Sequence, residues 1–399
     1  MSDGERRYFG LDALRGGMMM LGIVLHSAEL YVAAPAPFVP MLTDRNNSLV
    51  FDLVFHFIHQ FRMPTFFVLA GFFCALLVEK RGLRETYKNR ALRVAAPLAA
   101  ALLTVWPLTI LMGADFFLAA NFGVHDWWPQ PGLIAALERE MAALRLPFFG
   151  QFMALHLWFL LYLLYFYLLL PACGWLARLA RRHERAIGDA LGHPALVLVL
   201  GCYTALTLWP YHGGQVLEGF IFFRPHPPSL LYYGSFFVLG YLLRGFPGLF
   251  QAAARHVWKY GLLAALLFPI ALYASHVEYP VWRSPGAAIH FAAVMANGMC
   301  TWALVYFFIG VALRYFDYGA NWILYASQSS YWVFLVHMPL VFLAGFLLLP
   351  YDLPAVLKFA LVVAFVSFVC FASYHSLVQR SWVSVFLNGK RFDLPWRWR

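Results

Sequence analysis

The stretch Leu11–Tyr31, LDALRGGMMMLGIVLHSAELY, decides the fold class. It is long and apolar enough for a helix that crosses a bilayer, yet it carries Asp12, Arg15, His26 and Glu29. Arg15 and His26 stand eleven residues apart. At about 100° per residue they return to within roughly 20° of one face, about 16 Å apart along the axis. Asp12 and Glu29 join that face, and Met18, Leu21, Val24 and Leu25 make the other. Ionisable groups at membrane depth are costly and normally face a water-filled or substrate-filled cavity. The stripe therefore reads as a functional wall. The other reading of it is a ladder of ion pairs that holds helices together.

Composition extends this reading to the whole chain. Of 399 residues 62% are hydrophobic, 19% aromatic and only 12% charged, whereas a soluble domain carries roughly 25% charged residues. The expected class is an all-α, polytopic integral membrane protein with about ten transmembrane helices around a central cavity. Apolar runs fall near 11–33, 55–78, 94–116, 152–173, 194–211, 229–243, 258–275, 287–313, 326–349 and 355–375. The charged start (Asp3, Glu5, Arg6, Arg7) precedes a segment too long for a signal-peptide core, so no cleavable signal is expected. Cys74, Cys173, Cys202, Cys300 and Cys370 all fall in apolar runs without CxxC spacing, which reads as packing residues rather than disulfides or a zinc site.

An even number of spans puts both termini on one side. That side then holds 21 of the 29 Lys and Arg residues, against five (Arg45, Arg139, Arg145, Arg224, Arg283) on the other. Positive charge stays inside, so both termini are expected in the cytoplasm of a bacterial inner membrane. This distribution also turns the net charge of +10 away from nucleic acid as a partner and towards the membrane lipid surface. The densest patch is Lys80–Arg93, with six basic residues in fourteen. Topology alone explains part of it. Phosphate binding, for which Arg is suited by its bidentate fork, explains it equally well.

Asp52, His56 and His59 share one helical face by their spacing. Arg62-Met63-Pro64 follows, and the proline predicts that 49–62 is a helix separate from the spanning one. Two histidines without a third ligand are a weak metal signal, so no metal is expected and a polar cavity lining is preferred. His156 reads as a hydrogen-bonded packing residue. His337, in an equally apolar helix, is balanced between packing and pathway. The opposite-side segments 117–151 and 212–228 carry Trp127, Trp128, Asp126, His212 and Arg224, with Tyr211 immediately before the second, residue types that stack on sugars or bond hydroxyls. An amphipathic stretch, Leu133–Leu144, is expected on the membrane surface.

Several of these stretches together resemble membrane-bound acyltransferase family 3. They are Asp12-Ala13-Leu14-Arg15-Gly16 with His26, Met63-Pro64-Thr65-Phe66-Phe67 with Gly71, Arg90-xx-Arg93 with Pro97, and Tyr331-xx-Phe334-Leu335-Val336-His337-x-Pro339. Ala70 departs from the pattern, which often has Ser before Gly71. The His156-Leu157-Trp158-Phe159 segment and the ending Leu387–Arg391 look most like the glucans biosynthesis protein C branch. The resemblance implies residues 1–380 as a membrane acyltransferase domain and 381–399 as a basic cytoplasmic tail. It also implies transfer of an acetyl or succinyl group from cytoplasmic acyl-CoA to a hydroxyl of an extracytoplasmic carbohydrate. On that scheme His26 is the general base, oriented by Glu29, with an acyl-His intermediate as the competing route. Arg15, Arg90 and Arg93 would hold the donor. Asp12, His56, His59, Arg62, His337, Trp127 and Arg224 would line the cavity or the acceptor path. The rival function is a transporter or flippase of a glycan or lipid-linked intermediate, which would favour paired halves with matching broken helices; no such symmetry is visible. A ligand-binding scaffold and homo-oligomerisation both stay open.

Overall fold

The computed structural model describes residues 8–34, 42–123, 153–183, 193, 195–216, 223, 225–278 and 286–392. Its regular elements are helices: α1 (Phe9–Glu29), α2 (Leu49–Arg90), α3 (Ala96–Leu103), α4 (Val105–Phe122), α5 (Trp158–Tyr167), α6 (Leu170–Arg182) and α7 (Leu196–Leu208). They continue with α8 (Pro227–Leu243), α9 (Pro247–Arg255), α10 (Val257–Glu278), α11 (Ala287–Tyr315), α12 (Asn321–Leu348), α13 (Ala355–Ser373) and α14 (Trp382–Asn388).

Five spans of helix are long and apolar enough to cross a membrane, and a sixth joins them if the bent pair of α5 and α6 counts as one crossing. Helix α1 is not among the five, although the charged stripe that keeps it out is the feature first noticed in the sequence. The exterior supports membrane insertion independently: Leu103, Leu206, Phe368 and Tyr273 are each more than 70% exposed, an arrangement suited to lipid rather than water.

Three expected boundaries change. The break expected before Pro64 is absent, and helical geometry runs on to Gly82, where φ is +77°. A proline inside a bundle is tolerated because neighbouring groups take up the freed backbone carbonyl. A positive φ ends the helical path regardless, and glycine alone adopts it readily. The basic stretch Lys80–Arg93 is accordingly not an open loop but helix on both sides of Gly82, followed by a π turn at Ala91–Ala95. The expected helix 94–116 is broken at Thr104, where Thr104 Oγ1 donates to the Ala100 carbonyl at 2.8 Å just ahead of Pro107. The expected helix 152–173 bends by 61° between α5 and α6, with Pro171 in the first turn of α6.

Helix α1 lies against α12, α2, α11 and α13, while α2 also packs along α8. The α2–α8 contact is backbone on backbone. A Cβ at Gly71 would lie 2.0 Å from the Phe237 carbonyl oxygen, and one at Gly240 would lie 2.0 Å from that of Val68. Such small-residue contacts let membrane helices approach closely where lipid offers no hydrophobic drive. Large rings fill the rest, as in Phe236 on Trp302 at 4.2 Å and Phe61 on Phe308 at 4.1 Å. Helices α1, α2 and α12 are thereby held side by side, with the turn before α5 against them.

Candidate active site

At its C-terminal end α1 brings His26 and Glu29 together, Nδ1 to Oε2 at 2.9 Å. The carboxylate fixes the ring orientation and leaves Nε2 without a hydrogen-bond partner among the described residues. A histidine oriented at one nitrogen and open at the other is the arrangement general-base chemistry requires.

Two further imidazoles stand beside it. The His337 ring centroid is 5.4 Å from that of His26 and 5.5 Å from that of His156. His337 Nδ1 donates to the carbonyls of Val333 and Phe334 at 3.0 and 2.8 Å, and His156 Nε2 donates to Leu335 O at 3.1 Å. The remaining nitrogens, His337 Nε2 and His156 Nδ1, are buried without a partner among the described residues. His156 is delivered by a 3-10 turn, Leu155–Leu157, whose first residue has φ of +47°, a left-handed backbone uncommon for leucine. His156 does make the hydrogen bond expected of a packing residue, but its ring also completes the histidine cluster. Its partner is 179 positions away, beyond the reach of any local pattern.

Arg62 joins this group from α2. It is 4% exposed, and its Nε donates to Met18 O at 2.9 Å. Its guanidinium fills the space a side chain at position 22 would occupy: a Cβ on Gly22 would lie 2.2 Å from Nη2. Gly22 is one helical turn before His26 on the same face. His59, half-buried and stacked on Phe55 at 5.5 Å, lies within electrostatic reach of both Arg62 and His26.

A cavity of about 620 Å³ is lined by residues one helical turn from this cluster, while His26, His59, Arg62, His156 and His337 themselves are not in its lining. At one end it is lined by Arg15, Arg81, Asn89, Arg90, Arg93 and Lys390, and elsewhere by Met19, Phe66, Phe73, Phe159, Leu163, Tyr167 and Phe334. Four of the apolar residues each stand one turn from a member of the cluster: Met19 from Gly22, Phe66 from Arg62, Phe334 from His337 and Phe159 from His156. Ala70, the departure noted in the sequence, also lines the wall.

The predicted residues divide on inspection. Arg15, Arg90 and Arg93 do share this cavity. Arg15 is also ion-paired to Asp12 at 3.1 Å and bonded to Ser327 Oγ, which donates to Asp12 Oδ1 at 3.1 Å. The N-terminal end of the charged stripe is thus the helix-holding ladder of the second reading. Arg90 donates to Asn89 at 2.6 Å. Arg93 grips the last turn of α14 through the carbonyls of Val385 and Phe386. It thereby brings Leu387–Lys390, read from sequence as part of the basic tail 381–399, into the cavity wall. Asp52 accepts from the Ala33 and Ala34 amides at 2.8 and 2.9 Å, and buried His56 bonds Gln215 at 3.1 Å. Neither lines the cavity. Trp127, Arg224 and the stretch Leu133–Leu144 lie outside the described residues. Among the described residues no group of three or more His, Cys, Asp or Glu is placed to hold a metal ion.

The acyltransferase domain of the acyltransferase 3 family matches residues 8–375. Glucans biosynthesis protein C of Escherichia coli (strain K12) is 27% identical over 365 residues, spanning 87% of this chain and 85% of its own length. The protein of the same name from Escherichia coli O6:K15:H31 (strain 536 / UPEC) is 26% identical over 370 residues, with the same coverage of 87% and 85%. No solved structure matches the chain. With nearly all of its length inside the family's domain, the chain belongs to the acyltransferase 3 family and is a membrane acyltransferase.

Proposed function

We propose that this acyltransferase moves an acetyl or succinyl group from cytoplasmic acyl-CoA to a hydroxyl of an extracytoplasmic glycan, with His26 as general base. The observation that carries the reading is the cavity, cationic at one end and apolar towards the His26 cluster. A CoA head group carries several negative charges and cannot enter hydrocarbon, so it stays among Arg90, Arg15 and Lys390. Its thin arm passes Phe66, Phe159 and Phe334 and brings the thioester to the cluster. His26 Nε2 takes the proton from the acceptor hydroxyl, whose oxygen attacks the thioester carbonyl. The C–S bond then breaks, and the sulfur leaves with the proton held by His26. Glu29 keeps the imidazole in the orientation this requires. The name of the similar proteins, glucans biosynthesis protein C, supports a glucan as acceptor, approached from the side of Trp127 and Arg224.

Purified protein in lipid nanodiscs, given acetyl- or succinyl-CoA and periplasmic glucan, should produce a glucan heavier by one acyl group, read by mass spectrometry. Movement of unmodified glucan across a vesicle membrane, without CoA release, would establish the transporter reading instead. On the count of about ten crossings expected from the sequence, both termini are cytoplasmic, so a C-terminal reporter active only in the periplasm should stay silent. Trp127→Ala or Arg224→Ala should impair acceptor use and leave CoA affinity intact; weakened donor binding would overturn the two-sided scheme.

A further inference from the structure

We infer that Arg62 is the oxyanion-binding group of the transfer reaction, its guanidinium held in the seat left by Gly22, one turn from the base His26. The inference rests on the acyl-transfer reading above.

The first ground is an unbalanced charge. Arg62 is 4% exposed, within a helix that spans the apolar part of the molecule. Among the described residues it forms no ion pair, whereas the buried Lys358 meets Asp44 at 2.6 Å and Arg15 meets Asp12 at 3.1 Å. A buried cation without a counter-charge is strongly disfavoured unless something else supplies that charge. Three imidazoles, those of His59, His156 and His337, lie within its electrostatic reach.

The second ground is fixation. The bond from Nε to Met18 O at 2.9 Å holds the guanidinium plane, and Gly22 is open only because it lacks a side chain. A donor fixed before the reaction stabilises developing charge without reorganising, which is what gives an oxyanion site its effect.

The third ground is placement. The cavity wall reaches Phe66, one turn along α2 from Arg62, and Met19, one turn along α1 from Gly22. A thioester brought past these residues has its carbonyl between the base and the cation. When the hydroxyl oxygen adds to the carbonyl carbon and its proton passes to His26, the π pair moves onto the carbonyl oxygen. That oxygen becomes the anion Arg62 lacks. As it collapses, C=O re-forms, the C–S bond breaks and the sulfur takes the proton back from His26. The charge thus appears beside Arg62 only during the reaction.

The test separates binding from turnover in nanodisc-embedded protein. Acetyl-CoA affinity is measured by titration calorimetry, and CoA thiol release by a thiol reagent with glucan or water as acceptor. Arg62→Met should lower release by roughly 10²–10³-fold while acetyl-CoA affinity stays within about threefold. Arg62→Lys should recover part of the loss. Added methylguanidinium should restore turnover to Arg62→Ala but not to His26→Ala, a rescue that a merely structural arginine would not show. Gly22→Ala leaves the charge in the protein but fills its seat, and it should lower release comparably even if Arg62→Met does not fold. The inference is overturned if Gly22→Ala or Arg62→Met turns over at the wild-type rate, or if affinity and turnover fall in parallel without rescue. If wild-type protein releases no CoA from either acetyl- or succinyl-CoA, the acyl-transfer reading itself fails, and this inference with it.

Discussion

Helix α2 passes through two buried polar clusters only a few residues apart, and they are built to opposite ends. Around His56 and Gln60 most side chains satisfy one another, although His276 Nδ1, its ring 6.0 Å from that of His56, has no partner among the described residues. Gln215 bonds His56, Gln60 and Asn297 at 3.1 Å each, Gln60 donates to Thr301 at 2.6 Å, and Asn297 donates to Ser275 at 3.0 Å and to Ala293 O at 2.8 Å. Around Arg62 the accounts do not close: His156 Nδ1 and His337 Nε2 are buried with no partner among the described residues, and the guanidinium has no described carboxylate. A closed network in low dielectric rigidifies the bundle. An open one retains unused donors and acceptors at a cost in stability, and such groups are expected where a substrate completes them. Partner count, more than residue type, separates the two clusters on this helix.

The comparison breaks most sharply at the base. His26→Ala or His26→Gln should lower acyl transfer by roughly 10²–10⁴-fold, with no change in thermal unfolding of the detergent-purified protein; a fully active His26→Ala protein would remove this residue from the mechanism. The closed network should answer in the opposite way. Asn297→Leu takes one acceptor from Gln215 Nε2, which keeps Gln60 at 3.1 Å, and leaves Ser275 Oγ and the Gly213 carbonyl only their bond to each other at 2.6 Å. At about 1–3 kcal/mol for a buried group left unpaired, it should destabilise the fold measurably. Turnover per folded molecule should stay near the wild-type value, so a large fall in turnover with unchanged unfolding would place the network in the site after all.

The smallest effects belong to the cationic end of the cavity. Arg90→Ala should weaken CoA binding by about tenfold, or ~1.4 kcal/mol, in titration calorimetry, with the difference shrinking at high salt because exposed charges are screened. Arg93→Ala should act through α14 instead. By releasing the carbonyls of Val385 and Phe386 it should raise protease sensitivity near Leu387 as well as weaken CoA, with less salt dependence. Unchanged affinity in the double variant would leave Arg90 and Arg93 as topology signals only.

Much of this was legible in the residues themselves. Membrane character followed from composition. The pairing of His26 with Glu29 followed from helical spacing, since residues three apart on one helix must meet. Charge clustering marked the Lys80–Arg93 patch, and the grouping of Arg15 with Arg90 and Arg93 came with the family resemblance. Helix breaks were less legible, because a proline signals only a possible break and the surrounding bundle settles it. Pro64 left α2 intact, whereas Gly82, with no side chain to restrict φ, turned it. Tertiary structure alone showed that the Asp12–Arg15 half of the charged stripe is a ladder, because Ser327, which engages both Asp12 and Arg15, is more than three hundred positions away from them. It alone brought His156 to His337, drew Leu387–Lys390 into the cavity wall, and showed that Gly22 is small to admit Arg62. Each of these depends on contacts between distant segments, and local periodicity carries no information about which segment will be the neighbour.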